Sequence, residues 1–291
     1  MEDCYEPVSN FVKDEFERFG INYDFYSSDF NENIKKLVKS NTKLIYLESP
    51  TSLNYKIQDI AKFVKFARRN RIVTVMDNTW STVIGCNPLE LGIDIVIESA
   101  TKYFSGHSDA MGGSLAVNKK VFKQIMFFYK LSGYRMSSDE AYLIIRGLRT
   151  LDTRLNQHYE NTKQIINFLK KQKKVKEILY PYNPSSKNYK LWKKYYSGAT
   201  GLLSIVVKSK KKSSVIKFVN SLQLFGIGYS WGGFESLAIL QELRSNKKDE
   251  YLQVRKYFRF SKDEHIVRLH IGLEDPKDLI NDLKKSLSYI K

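Results

Sequence analysis

Residues 44–80 read LIYLESPTSLNYKIQDIAKFVKFARRNRIVTVMDNTW and hold a complete strand–helix–strand unit. The runs Leu44–Leu47 and Ile72–Met76 are apolar without alternation, as strands covered on both faces are. Between them Ile57, Ile60, Ala61, Val64 and Ala67 recur at helical spacing and mark one face of a helix. Such a unit sets its strands parallel through a right-handed crossover. Two more apolar runs, Ile93–Ile97 and Ser114–Val117, extend the pattern toward a parallel sheet. Beyond them, residues 136–172 read as mainly helical. GLLSIVVKS (201–209), SSVIKFVNSL (213–222), HIVRLHIGL (265–273) and DPKDLINDLKKSLSYI (275–290) then alternate strand and helix. The fold class is α/β, with a large domain over residues 1–150 and a smaller α+β domain over residues 151–291.

The remaining composition narrows the setting. With 291 residues the chain can bury a substantial core without staples, and at 42% hydrophobic and 27% charged it reads as globular. No apolar run reaches the ~20 residues of a membrane helix, and MEDCYEPVSN does not resemble a signal peptide. Cys4 and Cys86 form no metal or redox spacing, and the expected setting is a reducing cytoplasm. The net charge of +17 is carried mostly by lysines in scattered segments such as KKLVKS, KKQKKVK and KSKKKSS. No nucleic-acid reader motif accompanies them, so they read as a solvated surface, with neither nucleic acid nor membrane as partner.

Two strand ends carry the chemistry. IVTVMDNTW places Asp77 where an apolar strand turns polar, and DIVIESATKY does the same with Ser99, Thr101 and Lys102. Ligands of open α/β sheets gather at the carboxyl ends of strands. A carboxylate, short hydroxyls and an amine aimed into one crevice suit pyridoxal phosphate (PLP). That coenzyme needs a lysine for its aldehyde, an acid for its ring nitrogen and polar groups for its phosphate. From spacing alone, Asp77 also reads as a turn cap and Lys102 as one more exposed lysine.

Longer blocks add a resemblance. ESATKYFSGHSDAMGG (98–113) is similar to the lysine motif of the Cys/Met-metabolism family of PLP-dependent enzymes. YLESPTS, MDNTW and RGLRTLDTRLNQH resemble further blocks of it, in order along essentially the whole chain. YEPV (5–8), YSWGGFESL (229–237) and VRLHIGLEDPKDLI (267–280) resemble its bacterial cystathionine β-lyase branch. The resemblance implies the PLP-dependent transferase-like fold (fold type I, aspartate aminotransferase-like), with residues 1–150 as the PLP-binding domain.

The resemblance also implies roles. Lys102 matches the lysine that holds the coenzyme and then acts as base and acid, and Asp77 matches the partner of the ring nitrogen. Ser99 and Thr101 match phosphate-binding hydroxyls. Tyr5 resembles the tyrosine that stacks on the coenzyme and assists at the leaving group. Arg268 matches the arginine that clamps the substrate carboxylate, for which a planar fork is suited. Flanked by Val267 and Leu269, it also reads as a paired, partly buried charge. Ser230 and Trp231 resemble residues at the substrate mouth, although core packing is an equal reading of the tryptophan. Ser52 stands in ESPTS where many relatives carry asparagine, which agrees with the β-lyase branch. His107 and Asp109 lack further metal ligands nearby and read as loop residues, so no metal is expected. His158, His265 and His270 are scattered and form no nucleophile–base arrangement.

Met1 aligns inside the family's coenzyme domain. The expectation is therefore of an N-terminally shortened chain, without the family's subunit-bridging arm and phosphate-cradling loop and with an exposed sheet edge. The expected reaction is β-cleavage of L-cystathionine to homocysteine, pyruvate and ammonia, as in methionine biosynthesis. The alternatives are a cysteine desulfhydrase, a γ-type lyase or synthase, or an inactive remnant. The expected partners are a small amino-acid substrate and, by resemblance, further copies of the chain in a homotetramer of tight dimers.

Overall fold

The computed structural model describes residues 1–29, 32–184, 186, 188–241, 261 and 263–291. The chain begins with α1 (Glu6–Glu15) and α2 (Glu32–Leu37), then β1 (Leu44–Glu48), α3 (Ile60–Arg69), β2 (Val73–Asp77), α4 (Thr82–Gly85), β3 (Ile95–Ser99) and β4 (Gly113–Val117). Three helices follow: α5 (Lys119–Ser132), α6 (Ser138–Leu148) and α7 (Leu151–Leu169). After them come β5 (Val175–Leu179), α8 (Tyr189–Tyr195), β6 (Leu202–Lys208), α9 (Lys212–Asn220) and β7 (Gly226–Ile227). The last elements are β8 (Leu237–Gln241), β9 (Glu264–His270) and α10 (Pro276–Leu287).

The first sheet has the order β1-β2-β3-β4. β1 pairs parallel with β2 and β2 with β3, so that Glu48, Asp77 and Ile97 lie in register at one end. The helix between the first two strands buries Ile60, Phe63, Val64 and Ala67. Ala61, expected on that face, is exposed, and Phe63 takes the place at the third residue after Ile60. Arg68 and Arg69 end the helix favourably for its dipole, and the chain leaves through Arg71 at φ 57°.

β4 departs from the expected parallel sheet. It runs antiparallel to β3, and Leu115 on it is 56% exposed. A parallel return needs a crossover of about a dozen residues or more, usually through a helix, and residues 100–112 form turns instead. The turn that carries the ESATKY motif therefore reverses the sheet.

The second sheet has the order β5-β6-β9-β8-β7, with β5, β6, β9 and β8 successively antiparallel. Its centre is buried on both faces: Leu202 to Val207 on β6 are all inaccessible to solvent, as are Val267 and Leu269 on β9. Ile165 and Leu169 of α7, Phe218 of α9, and Leu279 and Leu283 of α10 close over it in one cluster. Each such side chain contributes about 1.5–3 kcal/mol by burial. Asp275 caps α10 by accepting from Lys277 N–H, ahead of Pro276 in the first turn.

Long-range hydrogen bonds tie the segments flanking the two sheets, these three among them. Trp80 Nε1 donates to Leu202 O at 3.2 Å, Gly201 N–H donates to Tyr103 Oη at 3.0 Å, and Tyr196 Oη donates to Ser49 O at 2.7 Å. Two of these ties leave directly from the chemistry-bearing segments 76–80 and 98–103. The crevice between the sheets is fixed at that point.

Candidate active site

β2 and β3 lie side by side and parallel, so their polar ends meet. Asp77 Oδ1 accepts from Thr79 N–H at 2.9 Å, and Thr79 Oγ1 accepts from Ser99 N–H at 2.9 Å. One threonine thus joins the two strand ends. Burial pushes the Asp77 carboxyl above its ordinary range, against the pull of the Thr79 hydrogen bonds. Its register neighbour Glu48 is held well up by burial and by the Asp77 charge, and its Oε2 accepts from Tyr5 N–H at 2.7 Å. Tyr5 is anchored through its backbone at this corner while its side chain remains 51% exposed.

Lys102 sits in the turn after β3, where its N–H donates to Ser99 O at 3.0 Å and its carbonyl accepts from Gly106 N–H at 2.8 Å. Thr101 spends its hydroxyl on Gly112, donating to the carbonyl at 3.3 Å and accepting from the N–H at 2.9 Å. Lys102 Nζ reaches into the crevice, donates to Ser230 Oγ at 3.0 Å and lies 5.3 Å from the centre of the Trp231 ring. Burial, followed by the charge of Arg268, pushes its amine down to about 8. A lysine in that state carries a usable fraction of free amine near neutral pH.

Arg268 enters from the second sheet, between Ser204 on β6 and Ile239 on β8. Its guanidinium donates to the Tyr229 carbonyl. The expected pairing is not made: among the described residues no carboxylate forms an ion pair with Arg268, whose basicity is lowered by burial. Tyr55, Tyr5 and Tyr229 act on it in the opposite direction. A partly buried cation held by carbonyl and phenol groups has room for an anion.

The structure therefore brings Lys102, Ser230, Trp231 and Arg268 together across the crevice, and joins Asp77 to Ser99 through Thr79. Trp231 packs on the core, as one of its two readings has it, and its ring also lies against Lys102. Ser52 stands apart: its N–H donates to Asp3 O at 3.1 Å, and among the described residues no hydrogen bond joins it to Lys102, Asp77 or Arg268. His107 Nδ1 contacts Ser105 O at 2.6 Å within its own loop, and no group of metal ligands forms among the described residues. His158 and His270, scattered in sequence, come together with ring centres 5.1 Å apart.

Sequence reasoning passes over Tyr55. It is buried at φ 51°, and its hydroxyl lies 3.4 Å from Ser204 Oγ, beside Arg268. Nothing in its local pattern marks it, since its place depends on the second sheet closing over the 49–55 turn.

The donors suit pyridoxal phosphate: an amine of lowered basicity, a half-buried strand-end carboxyl, and a guanidinium with no acidic partner among the described residues. A mixed α/β fold with this crevice defines a PLP-dependent enzyme. The chain belongs to the Cys/Met metabolism family of PLP-dependent enzymes, whose model matches residues 1–288. It is 36% identical to the cystathionine beta-lyase of Haemophilus influenzae, covering 99% of this chain and 72% of that protein. It is also 35% identical to the L-alanine/L-glutamate racemase of Wolbachia pipientis wMel, covering 99% and 70%. Among solved structures, cystathionine gamma synthase from Xanthomonas oryzae pv. oryzae, in complex with aminoacrylate and cysteine, superposes with a TM-score of 0.90. That likeness holds at 27% identity and covers 99% of this chain and 74% of the other.

Proposed function

We propose that the chain is a carbon–sulfur β-lyase that converts L-cystathionine and water to homocysteine, pyruvate and ammonia. The observation that carries this reading is the Lys102 amine, 3.0 Å from Ser230 Oγ and against Trp231, within the field of an Arg268 guanidinium that has no acidic partner among the described residues. When bound, pyridoxal phosphate supplies an aldehyde and a ring that takes up the electron pair left at a substrate carbon.

The residues divide the work. Asp77 would hold the ring nitrogen, Ser99 would face the phosphate, joined by Thr101 on giving up its bonds to Gly112, and Tyr5 would present its ring to the coenzyme. Arg268 orients the substrate by forking onto its α-carboxylate. The free Lys102 amine takes the Cα proton, and Ser230 steadies that nitrogen by accepting its hydrogen bond. Trp231 covers the amine and keeps water from it. We further propose that residues 1–150 and 151–291 form the two domains, and that the enzyme works in the cytoplasm as a homo-oligomer.

γ-Cleavage or γ-replacement on the same scaffold is the second reading, favoured by the likeness to the Xanthomonas synthase. Product analysis separates the two. Pyruvate with homocysteine from L-cystathionine supports β-cleavage, 2-oxobutyrate supports γ-chemistry, and a D-amino acid without keto acid supports racemisation. Lys102→Ala is expected to abolish pyruvate formation, and the borohydride-reduced coenzyme is expected on the Lys102 peptide of the wild type. Pyruvate at wild-type rate from Lys102→Ala overturns the reading.

A further inference from the structure

His270 ends β9 and is 1% exposed. Its backbone is held from both sides, opposite Leu202 on β6 and Leu237 on β8. The ring is equally confined: Tyr103 and His158 lie 6.0 and 5.1 Å away between centres, and a Cβ added at Gly201 would come within 3.1 Å of it. Such a ring cannot swing to a new partner. Its Nε2 lies 3.1 Å from Gly232 N and 3.1 Å from Gly233 O.

That contact falls on the turn that carries the reactive amine's two neighbours. Gly232 has φ +87°, and a Cβ there would lie 2.8 Å from Tyr103 N and 2.9 Å from Lys102 C. The turn thus rests directly on the Lys102 backbone. Ser230 and Trp231, the two residues before Gly232, are the ones that meet Lys102 Nζ. We propose that His270 is a positioning residue for the Lys102 amine: its Nε2 accepts the Gly232 N–H and locks the 230–233 turn that sets Ser230 and Trp231 against Nζ.

A histidine meets the requirement because it supplies an acceptor to a buried N–H without charge. Burial, with the nearby His158, Arg268 and Lys102, holds its basicity well below the ordinary range and keeps it neutral. His158 Nδ1 is 2.7 Å from Ile271 O, the carbonyl next along the chain, which fixes the second ring beside the first. With Nε2 as acceptor, the His270 proton resides on Nδ1, a buried atom with no hydrogen-bond partner among the described residues. Nε2 also faces the Gly233 carbonyl, a second acceptor, so the ring's tautomer is the decisive observable.

The inference rests on Lys102 as the reactive amine, and its test reads the contact and the amine rather than turnover. In the full chain, 15N NMR of the His270 ring is expected to show Nε2 unprotonated and Nδ1 protonated. The opposite tautomer overturns the proposal whatever the variants do. The second arm measures the pH dependence of Lys102 acylation in the coenzyme-free chain, followed by peptide mass mapping. His270→Gln keeps an acceptor near the Nε2 position and is expected to label with the wild-type midpoint. His270→Asn, whose amide reaches only the Nδ1 position, is expected to shift the midpoint upward as the turn loosens and water reaches Nζ. A folded His270→Asn with the wild-type midpoint, or His270→Gln shifted as far as His270→Asn, overturns it. Loss of turnover in Lys102→Ala bears on the lyase reading alone and leaves these measurements unaffected.

Discussion

Burial and, after it, the positive charge of Arg268 on β9 of the second sheet lower the basicity of Lys102 in the turn after β3 of the first. The same guanidinium that would hold a substrate carboxylate therefore also frees the amine. A bound carboxylate neutralises that charge, so the amine becomes more basic when substrate arrives, at the moment it must take a proton.

The first prediction concerns this coupling. Coenzyme uptake by Lys102 should rise with pH and level off above about 8, where the amine is free. Arg268→Met removes a like charge, so the midpoint should move upward. Stopped-flow absorbance across pH measures it, and a midpoint unchanged by the substitution would exclude the coupling.

Arg268→Lys keeps the charge and loses the planar fork. Hydrogen bonds to charged groups contribute about 1.5–3 kcal/mol, so kcat/KM should fall about 10–100-fold. The coenzyme-uptake midpoint should stay near that of the wild type. Parallel kinetics and pH titration of the one variant read both quantities.

Glu98 on β3 is buried, and burial raises its carboxyl to about 8 even though Asn78 Nδ2 donates to it at 3.1 Å. An acid raised on folding binds an extra proton in the native state between about 4.5 and 8, so stability falls as pH climbs through that window. Glu98→Gln cannot ionise. At pH 8 it should be more stable than the wild type by about 4 kcal/mol and melt at a higher temperature, and the gap should close toward pH 4.5. Calorimetry at the two pH values tests this, and a gap independent of pH would refute the assignment.

Gly232→Ala should be costly. The residue sits at φ +87°, and its new methyl would press on Tyr103 N and Lys102 C. Left-handed strain and overpacking together amount to about 2–4 kcal/mol. Denaturant unfolding should show the loss, together with weaker coenzyme binding than in an equally destabilised core variant such as Leu283→Ala.

The strand ends were the most legible part of the molecule. Asp77 follows a run that is apolar but for Thr74, and Ser99 and Lys102 come shortly after Ile95–Ile97; burial of such strands writes their apolar content into the sequence directly. β4 was harder, because its direction depends on how residues 100–112 turn, which apolar content does not encode. On α3 the periodicity located the face but set Ala61 on it in place of Phe63, since a small residue satisfies either side of a helix. Arg268 was found, and its lack of an acidic partner was not, because that is a property of what surrounds β9. Tyr55 and His270 left no trace in any local pattern. Both acquire their places only when the second sheet closes on the first.

Gly201 N–H to Tyr103 Oη and Trp80 Nε1 to Leu202 O stitch the sheets together within a few residues of the reacting groups. Any slip of one sheet on the other would break these bonds and carry the turn of Lys102 away from the strand of Arg268.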